Sequence, residues 1–154
     1  MIKKYFRPFL AAILLLTLTS FWLISWAAPA PQVGGRPGDN ELLARIIRAE
    51  AEAEPYTGQV AVGAVILNRV QNSGFPNTLS GVVYQPHAFE SVSNGEFNRQ
   101  PTPSCRKAAQ AALGGWDPSS GALFFFNPAK VTSPHSYVWT RRIIQKIGKH
   151  VFAL

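Results

Sequence analysis

The most informative stretch of the chain is residues 49–70, which read AEAEAEPYTGQVAVGAVILNRV. Pro55 divides this stretch, because a proline lacks a backbone N–H and ends the helix that precedes it. We therefore expect one helix from about Asp39 to about Glu54 and a second helix from about Gln59 to Gln71. Apolar residues make up most of the second helix, which predicts that it is central and buried.

Shorter elements are predicted on the C-terminal side of these two helices. The sequence favours a short helix over Thr78–Tyr84, a loose hairpin over His87–Phe97 and a third helix over Thr102–Gly114. Ala122–Phe126 is an apolar run of strand length, and Ile143–Phe152 is predicted to form two short strands. Because the helices come first and the strands last, we expect an α+β, helix-dominated domain with a small β-sheet or hairpins.

The N-terminal residues differ in character from the rest of the chain. Three cations within the first seven residues precede Phe9–Ala28, which carries no charge. This layout is typical of a secretory signal, and a helix of that length would also span a bilayer. We therefore expect residues 1–28 to be a cleaved signal or a retained membrane anchor. Residues 29–38 are then a Pro/Gly linker, and residues 39–154 form one exported domain.

Composition excludes several classes of function. Without the three cations of the leader, the formal net charge of +7 falls to about +4, which argues against dense nucleic-acid binding. The single cysteine, Cys105, cannot form a disulfide within the chain. His87, His135 and His150 are widely spaced and form no helical two-histidine motif, so neither a metal nor another cofactor is expected.

Glu50 lies on a face of the first helix where a leucine or an isoleucine would be expected. At about 100° per residue, it falls in the middle of the arc formed by the apolar residues of Leu42–Ile47. Burial favours the neutral form of a carboxylic acid and raises its pKa, as a general acid requires. Glu54, one turn later, could further oppose the ionisation of Glu50. The alternative is a structural Glu50 that is held by backbone amides or by Arg69.

Aromatic and amide side chains cluster in the predicted loops and strand ends. Together they form the kind of surface on which sugar rings stack, and the amides could bind sugar hydroxyls or orient Glu50. The alternative is that the aromatic residues belong to the core and that the amides are buried caps. The candidates for substrate binding are Tyr56, Gln59, Asn68, Tyr84, Phe89, Phe126, Asn127 and Trp139.

Several short motifs occur in one order along the chain. They are Glu-Pro-Tyr-x-Gly-Gln at residues 54–59, Ile-Leu-Asn-Arg-Val at residues 66–70, Phe75-Pro76, Tyr84-Gln85-Pro86, and Asp117-Pro118 through to Asn127-Pro128. With these motifs, the chain from about residue 41 to residue 152 resembles the catalytic domain of the bacterial spore cortex-lytic enzyme (cell wall hydrolase) family. The first two motifs are long and unusual, which makes the resemblance specific.

The resemblance implies a lysozyme-like catalytic domain that cleaves peptidoglycan glycan strands, typically as a lytic transglycosylase. The catalytic acid of the family is the first glutamate of a Gly-Glu-Ala-x-Gly-Glu-Pro pattern, which aligns with Glu50. Ala49 and Ala53 replace both glycines of that pattern, and phenylalanines fill residues 124–126, where tyrosines are common. The implied partner is peptidoglycan in the cell wall or spore envelope, and no nucleic acid is expected. The identity of a regulatory protein partner is left unknown.

The number of acidic residues favours a transglycosylase over a hydrolase. Ordinary glycosidases use two carboxyl groups, whereas only Glu90, Glu96 and Asp117 are acidic beyond the first helix. A lytic transglycosylase can use Glu50 alone, first as acid and then as base. For muramidase-type hydrolysis, Glu90 is the best candidate for a second carboxylate, with Glu54 as another supporting carboxylate. A non-catalytic peptidoglycan-binding domain is the alternative from a different class.

Overall fold

The computed structural model describes residues 36–133 and 135–154. The predicted signal or anchor and most of the predicted linker lie outside these residues, so both remain expectations from the sequence. Among the described residues, no helix combines the length and the apolar character that crossing a membrane requires.

Helices make up the first part of the described chain. They are α1 (Asp39–Ala51), α2 (Tyr56–Gln71), α3 (Leu79–Val83), α4 (Glu90–Ser93) and α5 (Pro103–Leu113). The three long helices, α1, α2 and α5, pack against one another and supply most of the hydrophobic core. Thr102 caps α5 as expected, because its hydroxyl accepts a hydrogen bond from the Cys105 N–H at 3.2 Å.

The central position predicted for α2 is confirmed. Every residue from Gly58 to Leu67 is buried. Gly63 makes this packing possible, because a Cβ atom there would lie 2.8 Å from Ile47 Cδ1 and 3.2 Å from Ala112 Cβ. A glycine inside a helix costs stability relative to alanine, but here it lets α2 contact α1 and α5 at one point.

A small antiparallel sheet follows the helices. Its strands are β1 (Phe124–Phe126), β2 (Ile143–Ile147) and β3 (His150–Ala153). The strand order is β1-β3-β2, and the central strand β3 is buried along its whole length. Phe125 of β1 lies opposite Phe152 of β3. The turn between β2 and β3 contains Gly148, whose φ of 59° falls in the left-handed region that favours glycine. This arrangement confirms the α+β class and the two predicted C-terminal strands.

Two predicted helix boundaries are displaced by a few residues. α1 ends at Ala51 rather than at Glu54, because a turn follows in which the Glu54 N–H donates to the Ala51 carbonyl oxygen at 3.0 Å. α2 begins at Tyr56 rather than at Gln59. It starts directly after Pro55, since the missing N–H of a proline costs nothing at the start of a helix.

The predicted loose hairpin over His87–Phe97 is wrong. This segment forms α4 and the beginning of a 3-10 turn (Glu96–Asn98), and both elements pack against α1. Phe89 and Phe97 are buried there. Within the described residues, β1, β2 and β3 pair only with one another, so this segment has no strand to pair with. Its backbone groups therefore form local hydrogen bonds in helical turns.

Candidate active site

Glu50 is located in the last full turn of α1, on the side that contacts α4. Its side chain is half-buried, and the Ser91 hydroxyl donates a hydrogen bond of 2.5 Å to Glu50 Oε1. Ser91 is itself 6% exposed and is fixed in α4. The carboxyl group of Glu50 is therefore oriented by a buried neighbour that is distant in sequence.

The surroundings of Glu50 raise its pKa above the ordinary value for a glutamate. Removal of the carboxyl group from water is the largest cause, and the negative charge of Glu90 acts in the same direction. The Ser91 hydrogen bond and the positive charges of Lys130 and Arg69 act in the opposite direction without cancelling the effect of burial. A carboxylic acid in this environment keeps its proton closer to neutral pH, so Glu50 is suited to act as a general acid.

Glu54 lies in the connection between α1 and α2, and its side chain contacts the turn between β2 and β3. Its Oε2 atom accepts a hydrogen bond from the Lys149 backbone N–H at 2.9 Å. A Cβ atom on Gly148 would collide with that oxygen, so the glycine is needed for this contact. The carboxylate that raises the pKa of Glu50 is Glu90 rather than Glu54, which corrects the expectation from helix periodicity.

Gln59 holds the connection between α1 and α2. Its Nε2 donates to the carbonyl oxygens of Glu52 at 3.3 Å and Glu54 at 3.1 Å, and its Oε1 accepts a hydrogen bond from the Ser104 hydroxyl at 2.9 Å. The side chain is buried. These contacts match the alternative of a buried cap, because the polar atoms of Gln59 are already bonded to protein.

Asn68 has a similar set of contacts at the other end of α2. Its Nδ2 donates to Asp117 Oδ2 at 3.0 Å and to the Ala122 carbonyl oxygen at 3.1 Å. Asp117 also accepts hydrogen bonds from Ser119, and together these bonds lower the pKa of Asp117 although burial opposes them. Asn68 therefore fixes the loop that leads into β1.

Arg69 lies between Glu50 and a cluster of phenylalanines. It is 7% exposed, and its Nε donates to the Leu123 carbonyl oxygen at 2.7 Å. Its guanidinium carbon lies 5.3–5.6 Å from the ring centres of Phe75, Phe89 and Phe124, within cation–π range. Burial lowers the pKa of Arg69, while the charge of Glu50 favours its protonated form. A fixed positive charge is thus present in the surroundings of Glu50.

Trp139 and Phe126 form an aromatic pair beside the sheet. Their ring centres are 5.5 Å apart and the rings meet edge to face. Phe126 is buried, whereas Trp139 is 44% exposed and its Nε1 donates to the Ser133 carbonyl oxygen at 3.2 Å. The exposed indole is the member of this pair that a sugar ring could contact.

The other predicted aromatic residues divide between surface and core. Tyr84 is exposed and packs edge to face on the buried Phe97, with ring centres 5.8 Å apart. Tyr56 is also exposed and packs beside Trp116, which the sequence reasoning did not select. Phe89 is buried, as the alternative of a core residue requires. Tyr84 and Tyr56 therefore keep an accessible ring face, whereas Phe89 does not.

Two residues near Glu50 were missed by the sequence analysis, Ser91 and Lys130. Ser91 follows Glu90, which the sequence did single out, but a serine in a predicted hairpin gives no signal of its own. Lys130 ends a short 3-10 turn that Asn127 begins, where Asn127 Oδ1 accepts a hydrogen bond from the Ala129 N–H at 3.0 Å. No sequence pattern relates Lys130 to Glu50, because the two are brought together only by the packing of β1 against α2.

Residues 36–133 and 135–154 contain no group of three or more His, Cys, Asp or Glu side chains arranged to hold a metal ion.

Comparison with known proteins shows the family of this chain. Residues 53–153 match the family model of the cell wall hydrolases. The spore cortex-lytic enzyme of Bacillus cereus is 48% identical over 119 residues, which cover 77% of this chain and 45% of that protein. The spore cortex-lytic enzyme of Bacillus subtilis (strain 168) is 48% identical over 114 residues, covering 74% of this chain and 37% of that protein. The chain thus spans less than half the length of these curated relatives.

Solved structures show the same similarity. The catalytic domain of the germination-specific lytic transglycosylase SleB from Bacillus anthracis has a TM-score of 0.72 and 46% sequence identity, and the match covers 79% of this chain and 98% of that domain. The catalytic domain of the Bacillus cereus SleB protein has a TM-score of 0.71 and 43% identity, with 82% and 99% covered. The family model, the sequence identity and the shared fold together show that this chain belongs to the cell wall hydrolase family.

Proposed function

We propose that this protein cleaves peptidoglycan glycan strands as a lytic transglycosylase, between N-acetylmuramic acid and N-acetylglucosamine. The observation that carries the proposal is the half-buried Glu50, whose pKa is raised and whose carboxyl group is oriented by Ser91. The similarity to a domain described as a germination-specific lytic transglycosylase supports the same reaction. Glu50 is the catalytic residue of this proposal.

In the first step, the protonated carboxyl group of Glu50 donates its proton to the glycosidic oxygen. The bond between that oxygen and C1 of muramic acid breaks, and C1 gains oxocarbenium character. In the second step, the Glu50 carboxylate takes the proton of the muramic acid C6 hydroxyl while O6 bonds to C1. The product is a 1,6-anhydromuramic residue, no water is consumed, and Glu50 is protonated again.

The neighbours of Glu50 suit both steps. Burial and Glu90 favour the protonated carboxyl group that the first step needs. The Ser91 hydroxyl, Lys130 and Arg69 stabilise the carboxylate that exists between the steps, because each lowers the pKa of Glu50. Because these influences on the pKa of Glu50 oppose one another, both the protonated and the ionised carboxyl group are accessible. A group that acts first as an acid and then as a base requires both forms.

Hydrolysis is the second candidate reaction, and one observation favours it. Glu90 is close enough to Glu50 to raise its pKa, so a second carboxylate is present in the surroundings of the acid. In a muramidase-type reaction, Glu90 would activate water or stabilise the cation at C1. The two reactions give different products, so the end group formed on muramic acid separates them.

The place of action is proposed from the leader and from the relatives. Curated relatives are described as spore cortex-lytic enzymes, which is consistent with action outside the cytoplasm, on the cell wall or spore cortex. We propose export by residues 1–28, with cleavage or membrane retention both open, and a role in germination. Peptidoglycan is the partner in each case.

The test is digestion of purified peptidoglycan by the wild-type chain and by Glu50→Gln, with mass spectrometry of the fragments. The proposal predicts 1,6-anhydromuramic ends from the wild type and no cleavage by Glu50→Gln. Reducing-end muramic acid would indicate hydrolysis, and cut peptide stems would indicate an amidase or a peptidase. If the wild type binds peptidoglycan but releases no fragments, the chain is a binding domain and the proposal is wrong.

A further inference from the structure

The C-terminal part of the chain carries positive charge that is not balanced locally. Residues 118–154 contain five cations and no acidic residue, whereas all 8 Asp and Glu of the chain lie within residues 39–117. The five cations are exposed, and they are Lys130, Arg141, Arg142, Lys146 and Lys149.

Ion pairing follows the same division. Within the described residues, the ion pairs join Arg45, Arg48, Arg99 and Arg106 to Glu41, Glu52 and Glu96, all on the helical side of the molecule. The cations after residue 117 have no ion-pair partner there. Their charge is therefore available to an external anion.

Among these cations, Arg141 packs against aromatic rings. Its guanidinium carbon lies 4.0 Å from the ring centre of Phe124 and 5.7 Å from that of Tyr137. Cation–π contacts of this kind restrain a long side chain without using up its N–H donors. The guanidinium is thus held near the surface and can still bind a planar anion through two parallel hydrogen bonds.

A series of contacts also connects Arg141 to the surroundings of Glu50. The Phe124 ring that it contacts lies 5.6 Å from the guanidinium carbon of Arg69, whose charge acts on Glu50. Trp139, two residues before Arg141, presents its exposed indole next to Phe126 of the same strand as Phe124. Lys130, which acts on Glu50, is exposed as well. We name Lys130, Tyr137, Trp139 and Arg141 the cationic rim.

We propose that the cationic rim binds the carboxylates of the peptide stems on the glycan strand, and so makes stem-bearing strands better substrates than bare glycan. This inference rests on the proposed function. Exposed aromatic faces suit sugar rings, and unpaired cations beside them suit a polymer that carries carboxylates next to its sugars. Peptidoglycan has both, because each stem is attached to the muramic acid ring. A separate phosphate-rich wall polymer would match the charge but not the aromatic faces.

The test compares two substrates that have been freed of phosphate-rich polymers. One is stem-bearing peptidoglycan, and the other is the same glycan after an amidase has removed the stems, which leaves a single lactyl carboxylate on each muramic acid in place of the carboxylates of the stem. For the full wild-type chain we expect a KM on stem-bearing strands about three- to tenfold lower than on bare strands. In Arg141→Gln, the KM on stem-bearing strands should rise until most of this difference is lost. Lys107→Gln removes an exposed cation from α5 and serves as the control, which should keep the difference.

Salt dependence gives a second measurement that needs no substitution. Raising the salt from about 0.1 M to about 0.5 M shortens the range of electrostatic attraction, so the wild-type KM should rise more on stem-bearing strands than on bare strands, which keep only the lactyl carboxylate. Co-sedimentation of the chain with both substrates, at both salt concentrations, measures binding independently of cleavage. It therefore tests binding by the cationic rim even if the wild type cuts neither substrate. That result would contradict the proposed function without contradicting the inference about the rim.

Three outcomes would overturn the inference. The first is equal binding and equal KM on stem-bearing and bare strands. The second is an equal rise in KM on both substrates in Arg141→Gln, which would mean that the arginine acts through packing against Phe124 and Tyr137. The third is a gain in binding only when the phosphate-rich polymers are left in the wall, which would assign the rim to that other anion.

Discussion

The last turn of α1 and the connection that follows it contain the same kind of residue but use it differently. Glu50, in α1, contacts the buried Ser91 and has a raised pKa. Glu54, in the connection, bonds to the Lys149 backbone and joins the helices to the β2–β3 turn. α1 ends between the two glutamates, at Ala51. The spacing of one helical turn therefore does not place both carboxylates on one face, and only Glu50 is directed toward α4.

The comparison teaches what a carboxylate needs in order to act as an acid. Glu50 has a half-buried position, a hydroxyl that orients it and charges of both signs nearby. Glu54 has a single strong partner that is a backbone amide. We infer that the first arrangement is catalytic and the second structural. Each of the following predictions sets one region against the other.

The largest effect is expected from Glu50→Gln measured beside Glu54→Gln. Removing the proton donor should lower kcat/KM on peptidoglycan by about a thousandfold or more, because the same group acts as acid and as base. Glu54→Gln keeps an oxygen that can accept the Lys149 N–H, so it should stay within about threefold of the wild type. Equal losses in the two variants would contradict the assignment of separate roles.

The stability of Glu50→Gln should change in the opposite direction from its activity. The pKa of Glu50 is raised in the folded state, so its carboxyl group favours folding while protonated and disfavours it as pH rises from the ordinary glutamate pKa of 4.5 through the raised pKa. Glu50→Gln should therefore be more stable than the wild type at pH 7, by about 1 kcal/mol, and should lose that advantage near pH 4. Urea unfolding at both pH values measures this.

The next largest effect concerns the junction that Glu54 forms. Gly148→Ala should destabilise the fold by about 3 kcal/mol, because a Cβ there would lie 2.8 Å from Pro55 Cδ, would displace Glu54 Oε2 and would sit on a backbone with φ of 59°. Gly115→Ala is the control: its φ is 95°, but a Cβ would have no atom within 4 Å. It should cost only about 1 kcal/mol in urea unfolding. An equal cost would mean that the contact with Glu54 contributes nothing.

A smaller effect is expected from Ser91→Ala. Loss of the hydrogen bond should lower kcat about tenfold, since hydrogen bonds to charged groups contribute more than neutral ones. It should also raise the pKa of Glu50, so the high-pH limb of the kcat/KM profile should move to higher pH. Ser93→Ala changes an exposed serine of the same helix and should leave the profile in place. A loss of kcat without any movement of that limb would make Ser91 a merely structural residue.

The smallest effect is expected from Glu90→Gln. Removing this negative charge should lower the pKa of Glu50 and move the high-pH limb to lower pH, with a change in kcat of less than about threefold. Glu52→Gln, on the exposed side of the connection, should leave the limb unchanged. Loss of all activity in Glu90→Gln would instead identify Glu90 as the second carboxylate of a hydrolase.

Much of the helical core could be predicted because its signals are local. The apolar composition of α2 predicted its burial, and Thr102 with Pro103 predicted the start of α5, as the structure confirms. The periodicity of α1 placed Glu50 on the apolar face, where its neighbours Ile46 and Ile47 are fully buried. These features depend on residues within one or two helical turns of one another.

The surroundings of Glu50 could not be predicted in the same way. Ser91 is 41 residues from Glu50, and it reaches the carboxyl group only because α4 packs on α1. The segment that contains α4 was predicted to be a hairpin, since its serines, asparagine and glycine are typical turn residues. Tertiary packing overrode that local preference by burying Phe89 and Phe97.

The order of residues alone predicts the three long helices, the two strands at the end of the chain and which glutamate faces the apolar side of α1, because these follow from local periodicity and from the chemistry of Pro and Gly. Folding in three dimensions fixes which hydroxyl and which charges surround that glutamate, and it separates Glu54 from Glu50. The physical reason is that burial, hydrogen bonding and charge interactions act through space, so a pKa depends on neighbours that the chain brings together from distant positions.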